Sequence, residues 1–188
     1  MKILKRYFSL LRKGYVESRK VQFFVILSVF VVIFGFSPYR IAVVATPSIP
    51  VGVYIINEFD KDLVRGGMYC FDNYKPEWVN PKLKIPRHQI SCKYLLGMPG
   101  DSISSTDSSV SLMYMDLGGI LGPEEFIRTF KRIPSIDGVP VGFVDSSGVV
   151  PVGEYYFGSD FPNGWDSRYL GLINKELILG KASLLIAL

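Results

Sequence analysis

The sequence predicts a mainly β domain behind one N-terminal apolar helix, and three observations carry that expectation. A sixteen-residue apolar run from Val21 to Phe36 holds only Gln22 and Ser28 as polar residues. Beyond it, short strand-like runs alternate with turn signals rather than with long helical periods. With the run subtracted from 188 residues, enough chain remains for a single domain with its own core.

The apolar run, extended by Ser37 and Pro38, reads as a transmembrane helix over residues 21–38. At 1.5 Å per residue it covers roughly 24 to 27 Å, a little short of a ~30 Å hydrocarbon core but sufficient for a thin bilayer. Residues 1–20 form a basic leader in which seven cations, Lys2 to Lys20, face Glu17 alone. That leader is net +6 in a chain of total charge +4, so everything after it is net −2. Cations placed before an apolar run predict a cytoplasmic N-terminus and a translocated domain over residues 39–188. A nucleic-acid binder would carry its positive charge as a patch on the folded domain, so that class is excluded. The competing reading of the N-terminus is a cleaved signal peptide with Val43-Val44-Ala45 at the cut. The long leader, and Pro38-Tyr39-Arg40 between run and cut, weigh against it.

Strands are predicted at Ile41–Ala45, Gly52–Asn57, Gly67–Phe71, Ile90–Met98, Val139–Val144, Glu154–Gly158 and Ala182–Ala187. Turns are expected at Arg65-Gly66-Gly67, Pro99-Gly100-Asp101, Asp137-Gly138 and Ser146-Ser147-Gly148, where glycine, proline or Asx residues preset the bend. Ser102–Ser111 reads as a surface loop or exposed hairpin, and Pro123–Lys131 as a short helix. Leu177–Leu188 is too short to span a bilayer as a helix and is expected to be a buried closing strand.

Cys70 and Cys92 both fall in the domain placed outside the cytoplasm. There they fit either a disulfide, stabilising by about 3 kcal/mol through loop closure, or two buried thiols. No Cys/His spacing for zinc occurs, so no metal and no cofactor is expected. His88 is the sole histidine, and any histidine-based triad would have to be built on it.

Chemistry is carried by three blocks. The first is Thr46-Pro47-Ser48-Ile49-Pro50, a serine in a proline-fixed turn just beyond the apolar run. The second runs from Lys93 to Asp101, with the lysine at the end of a strand-like stretch that stops at a Pro-Gly turn. A serine hydroxyl is a poor nucleophile until a base takes its proton, and a lysine does this only if burial lowers its pKa. Tyr94, Leu95, Leu96 and Met98 are apolar enough to provide that burial. The third block runs from Gly153 to Asp160 and on through Asp166-Ser167-Arg168-Tyr169 to Gly171.

In this order the blocks closely resemble the signal peptidase family of Ser/Lys proteases, over nearly the whole chain and including Gly180-Lys181-Ala182. Within it, Ser48-Ile49-Pro50-Val51-Gly52-Val53-Tyr54 is most similar to the conjugative-transfer (TraF-type) peptidases; housekeeping enzymes usually carry Ser-Met followed by Pro-Thr. The resemblance implies a signal-peptidase-like catalytic β domain in which Ser48 is the nucleophile and Lys93 the general base, later the acid for the leaving amine. It implies an oxyanion hole from the Ser48 backbone N–H and the Thr46 hydroxyl. Asp166 has a supporting role or is simply the salt-bridge partner of Arg168, while Arg168, Gly100 and Asp101 are architectural. Where housekeeping enzymes orient the lysine with a serine two residues before the aspartate, this chain has Gly164. Ile49, Val51 and Val53 are candidates for the wall against which an extended substrate adds as a strand.

The expectation is therefore a single-pass protein of a bacterial inner membrane, with a periplasmic serine endopeptidase domain. Its substrate would be an exported protein cut near the bilayer after a small residue. If the transfer-branch resemblance holds, that substrate is a pilin precursor or a component of conjugation or secretion machinery, with cyclisation as an alternative outcome. General signal-peptide removal is the first rival. A catalytically silent, membrane-tethered assembly module is the second, and a self-cleaving repressor of related fold the third, disfavoured by an anchor ahead of the serine.

Overall fold

Strand β4 (His88–Gly97) runs through the middle of the protein and has buried side chains on both faces. Successive residues of a strand point to opposite faces. Leu95 accordingly joins one core cluster, with Tyr69, Phe71, Phe157 and Ile178, while Leu96 joins another, with Leu112, Phe130 and Tyr156. The computed structural model describes residues 18–29, 31–32, 35, 37–83, 88–116, 124–136, 138–161 and 163–188.

The chain divides into two units, Met1–Pro38 and Tyr39–Leu188. In the first, the described residues from 18 to 35 are helical. The expected span over residues 21–38 lies partly outside the described residues, and among those described no helix is long and apolar enough to cross a membrane.

The second unit is built on a seven-stranded antiparallel sheet in the order β1-β2-β13-β3-β4-β11-β12. Its strands are β1 (Tyr39–Val44), β2 (Gly52–Asn57), β3 (Met68–Tyr74), β4, β11 (Glu154–Gly158), β12 (Ile173–Asn174) and β13 (Ile178–Ala187). A second sheet, in the order β10-β5-β6-β7, comprises β5 (Ser102–Ser105), β6 (Ser109–Asp116), β7 (Glu124–Lys131) and β10 (Gly148–Val149). Strands β8 (Ser135–Ile136) and β9 (Val139–Pro140) make a separate pair. The mainly β expectation holds.

The turn from β4 to β5 follows from its residues. Gly100 sits at φ +95°, a conformation that favours glycine. The Asp101 carboxylate accepts from the Met98 backbone N–H at 2.6 Å and from both terminal nitrogens of Arg65 at 2.8 Å. This fork-on-fork pair ties the turn to the loop before β3 and fixes where β4 ends.

Several sequence expectations are corrected. Pro123–Lys131, expected as a helix, contributes strand β7, paired along its length with β6. Its Phe126 and Phe130 are four residues apart, which suits one helix face but also one strand face. Cross-strand partners decide for the strand, with Phe126 stacked on Tyr114 and Phe130 opposite Val110, its ring packed against Tyr156 of the other sheet. Ser102–Ser111 contributes the hairpin of β5 and β6 rather than a loop. Val139–Val144 shortens to the two residues of β9, where Pro140 has no N–H to extend a ladder. The closing strand forms, but only its first half is buried and Ser183–Ala187 are exposed.

Cys70 and Cys92 are bonded, directly opposite each other on β3 and β4 with Cα atoms 4.0 Å apart. They belong to the third core cluster with Ile49, Tyr54, Ile56 and Ala182. A double Cys70→Ser/Cys92→Ser variant is expected to lose about 3 kcal/mol of unfolding free energy. Denaturant unfolding checks this, and an unchanged midpoint would contradict it.

Candidate active site

The hairpin of β1 and β2 carries Ser48 in its loop. The strands pair up to Val44 opposite Gly52, so the residues between them must bulge from the sheet edge. Pro47 and Pro50 restrict that loop, and the Tyr54 hydroxyl fastens it by donating to the Pro50 carbonyl at 2.6 Å. Ile49 is its anchor, packed with Tyr54 and the Cys70–Cys92 pair. Ser48 immediately precedes that anchor and Lys93 immediately follows Cys92, so one core cluster sets the positions of both.

Lys93 Nζ lies 2.7 Å from Ser48 Oγ, donating to it. With the amine neutral the same contact reverses, the hydroxyl donating to the nitrogen lone pair. Both side chains are nearly shut off from solvent, Ser48 at 5% and Lys93 at 6% exposure. Burial disfavours the ammonium and brings the Lys93 pKa down from 10.5 to about 8, partly opposed by the Asp166 charge and assisted by Arg168. Thr46 Oγ1 is 3.4 Å from Ser48 Oγ, so its hydroxyl borders the nucleophile. His88 lies at the outer start of β4 with Nε2 3.1 Å from Asp72 Oδ1, whereas the nitrogen at Ser48 is that of Lys93.

Behind the lysine, Asp166 and Arg168 form a buried, two-pronged ion pair. Arg168 Nε donates to Oδ1 at 2.8 Å and Nη2 to Oδ2 at 2.7 Å. Asp166 also caps the short helix Ser167–Leu170 by accepting the Arg168 backbone N–H. Arg168 Nη2 reaches the Phe161 carbonyl at 2.6 Å, closing the loop that leads from β11 to this helix. Of the two alternatives for Asp166, the ion pair with Arg168 is formed; the carboxylate's charge favours the Lys93 ammonium.

Ser48 opens on two cavities. One, of about 500 Å³, is lined by Val43, Ala45, Ile90, Lys93 and Trp165 among others. The second, of about 290 Å³, is lined by Ile49, Val51, Tyr94 and Phe161. Ile49 is mainly a core anchor with one side turned to this smaller cavity, Val51 lines it, and Val53 lines neither. Sequence reasoning passed over Ser159, 1% exposed with its hydroxyl donating to Asp166 Oδ2 at 3.3 Å, and over Trp165. Both lie in or beside the third block. Only the loop path, which local sequence does not encode, brings Ser159 to Asp166 and Trp165 to the cavity that Lys93 lines. Among the described residues no cluster fit to hold a metal ion occurs.

The family described as signal peptidase, peptidase S26, matches residues 16–187. A crystal structure of a signal peptidase I from Enterococcus faecalis V583 is similar in part, at 17% identity and a TM-score of 0.34, over 65% of this chain and 97% of that one. No curated protein matches the chain significantly in sequence. By a family match that spans nearly its whole length, the protein belongs to the signal peptidase (peptidase S26) family of serine peptidases, which act on exported proteins.

Proposed function

We propose that the protein is a membrane-anchored serine endopeptidase that uses a Ser48/Lys93 dyad to cut an exported precursor near the membrane surface. The observation that carries this reading is the 2.7 Å contact between Nζ and Oγ in a setting that disfavours the ammonium. Neutral Lys93 takes the Ser48 proton as Oγ attacks the scissile carbonyl. The Ser48 backbone N–H and the Thr46 hydroxyl meet the oxyanion. Lys93 then returns the proton to the leaving amine, and an acyl-enzyme remains on Ser48. A water molecule, or an amine of the same substrate, resolves it to a hydrolysed or a cyclised product.

The membrane reading rests on the basic leader and the apolar run, which predict an N-terminus in the cytoplasm and residues 39–188 in the periplasm. Only Ser37 and Pro38 separate that run from β1, where Tyr39, Ile41 and Val43 are exposed. Leu184, Leu185, Ile186 and Leu188, at the end of β13, are exposed as well. So many apolar side chains around one hairpin suit a lipid surface. The disulfide fits an oxidising compartment. The Ser-Ile-Pro-Val-Gly turn supports a conjugative-transfer (TraF-type) enzyme, whose substrate is a pilin or another conjugation or type IV secretion component.

Ser48→Ala and Lys93→Ala are each expected to lower processing of co-expressed exported precursors by at least about 10³-fold at equal membrane levels. Thr46→Val is expected to cost about 10²-fold. Intact mass of the product checks all three, and a product lighter by one water identifies cyclisation.

The same buried amine predicts a pH profile. Below about 8 the processing rate should rise tenfold per pH unit as Lys93 loses its proton, then level off. The folded pKa lies beneath the unfolded 10.5, so between about 8 and 10.5 the unfolded chain binds more protons and stability rises with pH. Lys93→Met should abolish that rise and add on the order of 1–3 kcal/mol at pH 7 while abolishing processing. Denaturant unfolding at pH 7 and pH 10 checks the sign.

A further inference from the structure

Once Lys93 holds the proton of Ser48, its ammonium carries three N–H donors at a position 6% exposed. Ser48 matches one of them. A buried cation with unmatched donors is unfavourable, so the surrounding structure must supply acceptors.

The chain path identifies one. In the antiparallel pairing of β4 with β11, Gly158 stands opposite Tyr94. Ser159 follows directly beyond the last paired residue of β11, as Lys93 directly precedes Tyr94 on β4, so the chain path leads Ser159 toward the lysine. Ser159 is 1% exposed, and its single proton is committed to Asp166 Oδ2 at 3.3 Å. The oxygen therefore remains available as an acceptor.

Gly164 explains why that oxygen has room. A Cβ on Gly164 would lie 2.7 Å from Ser159 Oγ, closer than real packing allows, and 3.0 Å from Asp166 Oδ2, a tight contact. Gly164 also lines the cavity that Lys93 borders. The missing side chain at 164 and the hydroxyl at 159 are thus complementary: one vacates the space beside Asp166 that the other fills.

We propose that Ser159 is the positioning residue for Lys93: held by Asp166 in the space Gly164 leaves, its hydroxyl oxygen accepts from the Lys93 amine and keeps Nζ aimed at Ser48. The proposal rests on the Ser48/Lys93 reading. Ser159 touches neither substrate nor the reacting carbonyl; it acts through the lysine.

The test uses the full chain in detergent micelles and two readouts. Lys93 titration is followed by competitive acetylation with acetic anhydride, read by peptide mass, and cleavage by an internally quenched peptide with alanines flanking the cut. Ser159→Ala removes an acceptor from the ammonium, so the Lys93 midpoint should fall by about one unit and kcat/KM by roughly 10- to 100-fold. Ser159→Thr, which keeps the hydroxyl, should retain the wild-type midpoint. A Ser159→Ala variant whose Lys93 midpoint matches the wild type overturns the proposal, whether or not its rate falls. If Ser48→Ala is inactive in that case, the dyad stands without Ser159. A Ser48→Ala variant that still cleaves removes the dyad reading and this proposal together.

Discussion

The structure depends on keeping one lysine amine out of water. Lys93 is central in the larger sheet, between β3 and β11, and β4 is buried on both faces around it. Three influences set its charge state, and their order decides the outcome. Desolvation is the largest and favours the neutral amine. Asp166 opposes it, but Arg168 pairs with Asp166 at two points and its own positive charge acts against the ammonium. Desolvation outweighs the carboxylate, and the Lys93 pKa falls. The charge of Arg168 adds to desolvation in disfavouring the ammonium, so the ion pair bears on the lysine as well as on the loop it braces.

Bringing the serine to this amine is a packing problem, solved by the third core cluster. Ile49 and Cys92 occupy it together, one residue after the nucleophile and one before the base. The disulfide joins β3 to β4 at that point, and the Tyr54 hydroxyl holds the serine loop from below. The dyad geometry is therefore inherited from two anchors in one apolar cluster. Changes to Ile49 or the disulfide should be felt at Ser48 even though neither side chain takes part in proton transfer.

Much of this was legible in the sequence, and the exceptions have physical reasons. Strands β2 and β11 were readable to the residue, since each is a short run between turn residues. Ser48 and Lys93 were readable through the resemblance carried by the three ordered blocks, since a serine between prolines and a lysine in an apolar strand are each weak signals alone. Strand β7 was not, because Phe126 and Phe130 satisfy both helical and strand periods and only pairing with β6 decides. The end of β13 misled in another way: apolar composition does not distinguish a side chain facing a core from one left exposed, as Leu184–Leu188 are. Ser159 was hidden more deeply. A register shift between Tyr156 and Phe157 sets how the end of β11 lies along β4, and no local pattern announces it.

The neutral amine is the central claim, and its titration is the most direct measurement. Full-length protein labelled at the lysine ε-carbon, with Lys93→Met to assign the signal, would be followed by NMR across pH 6 to 11. The account predicts a Lys93 midpoint near 8, well below the ordinary 10.5. A midpoint at the ordinary value would leave only roughly one amine in three thousand neutral at pH 7, against about one in eleven for a midpoint near 8, and Lys93 would then not be the base that activates Ser48.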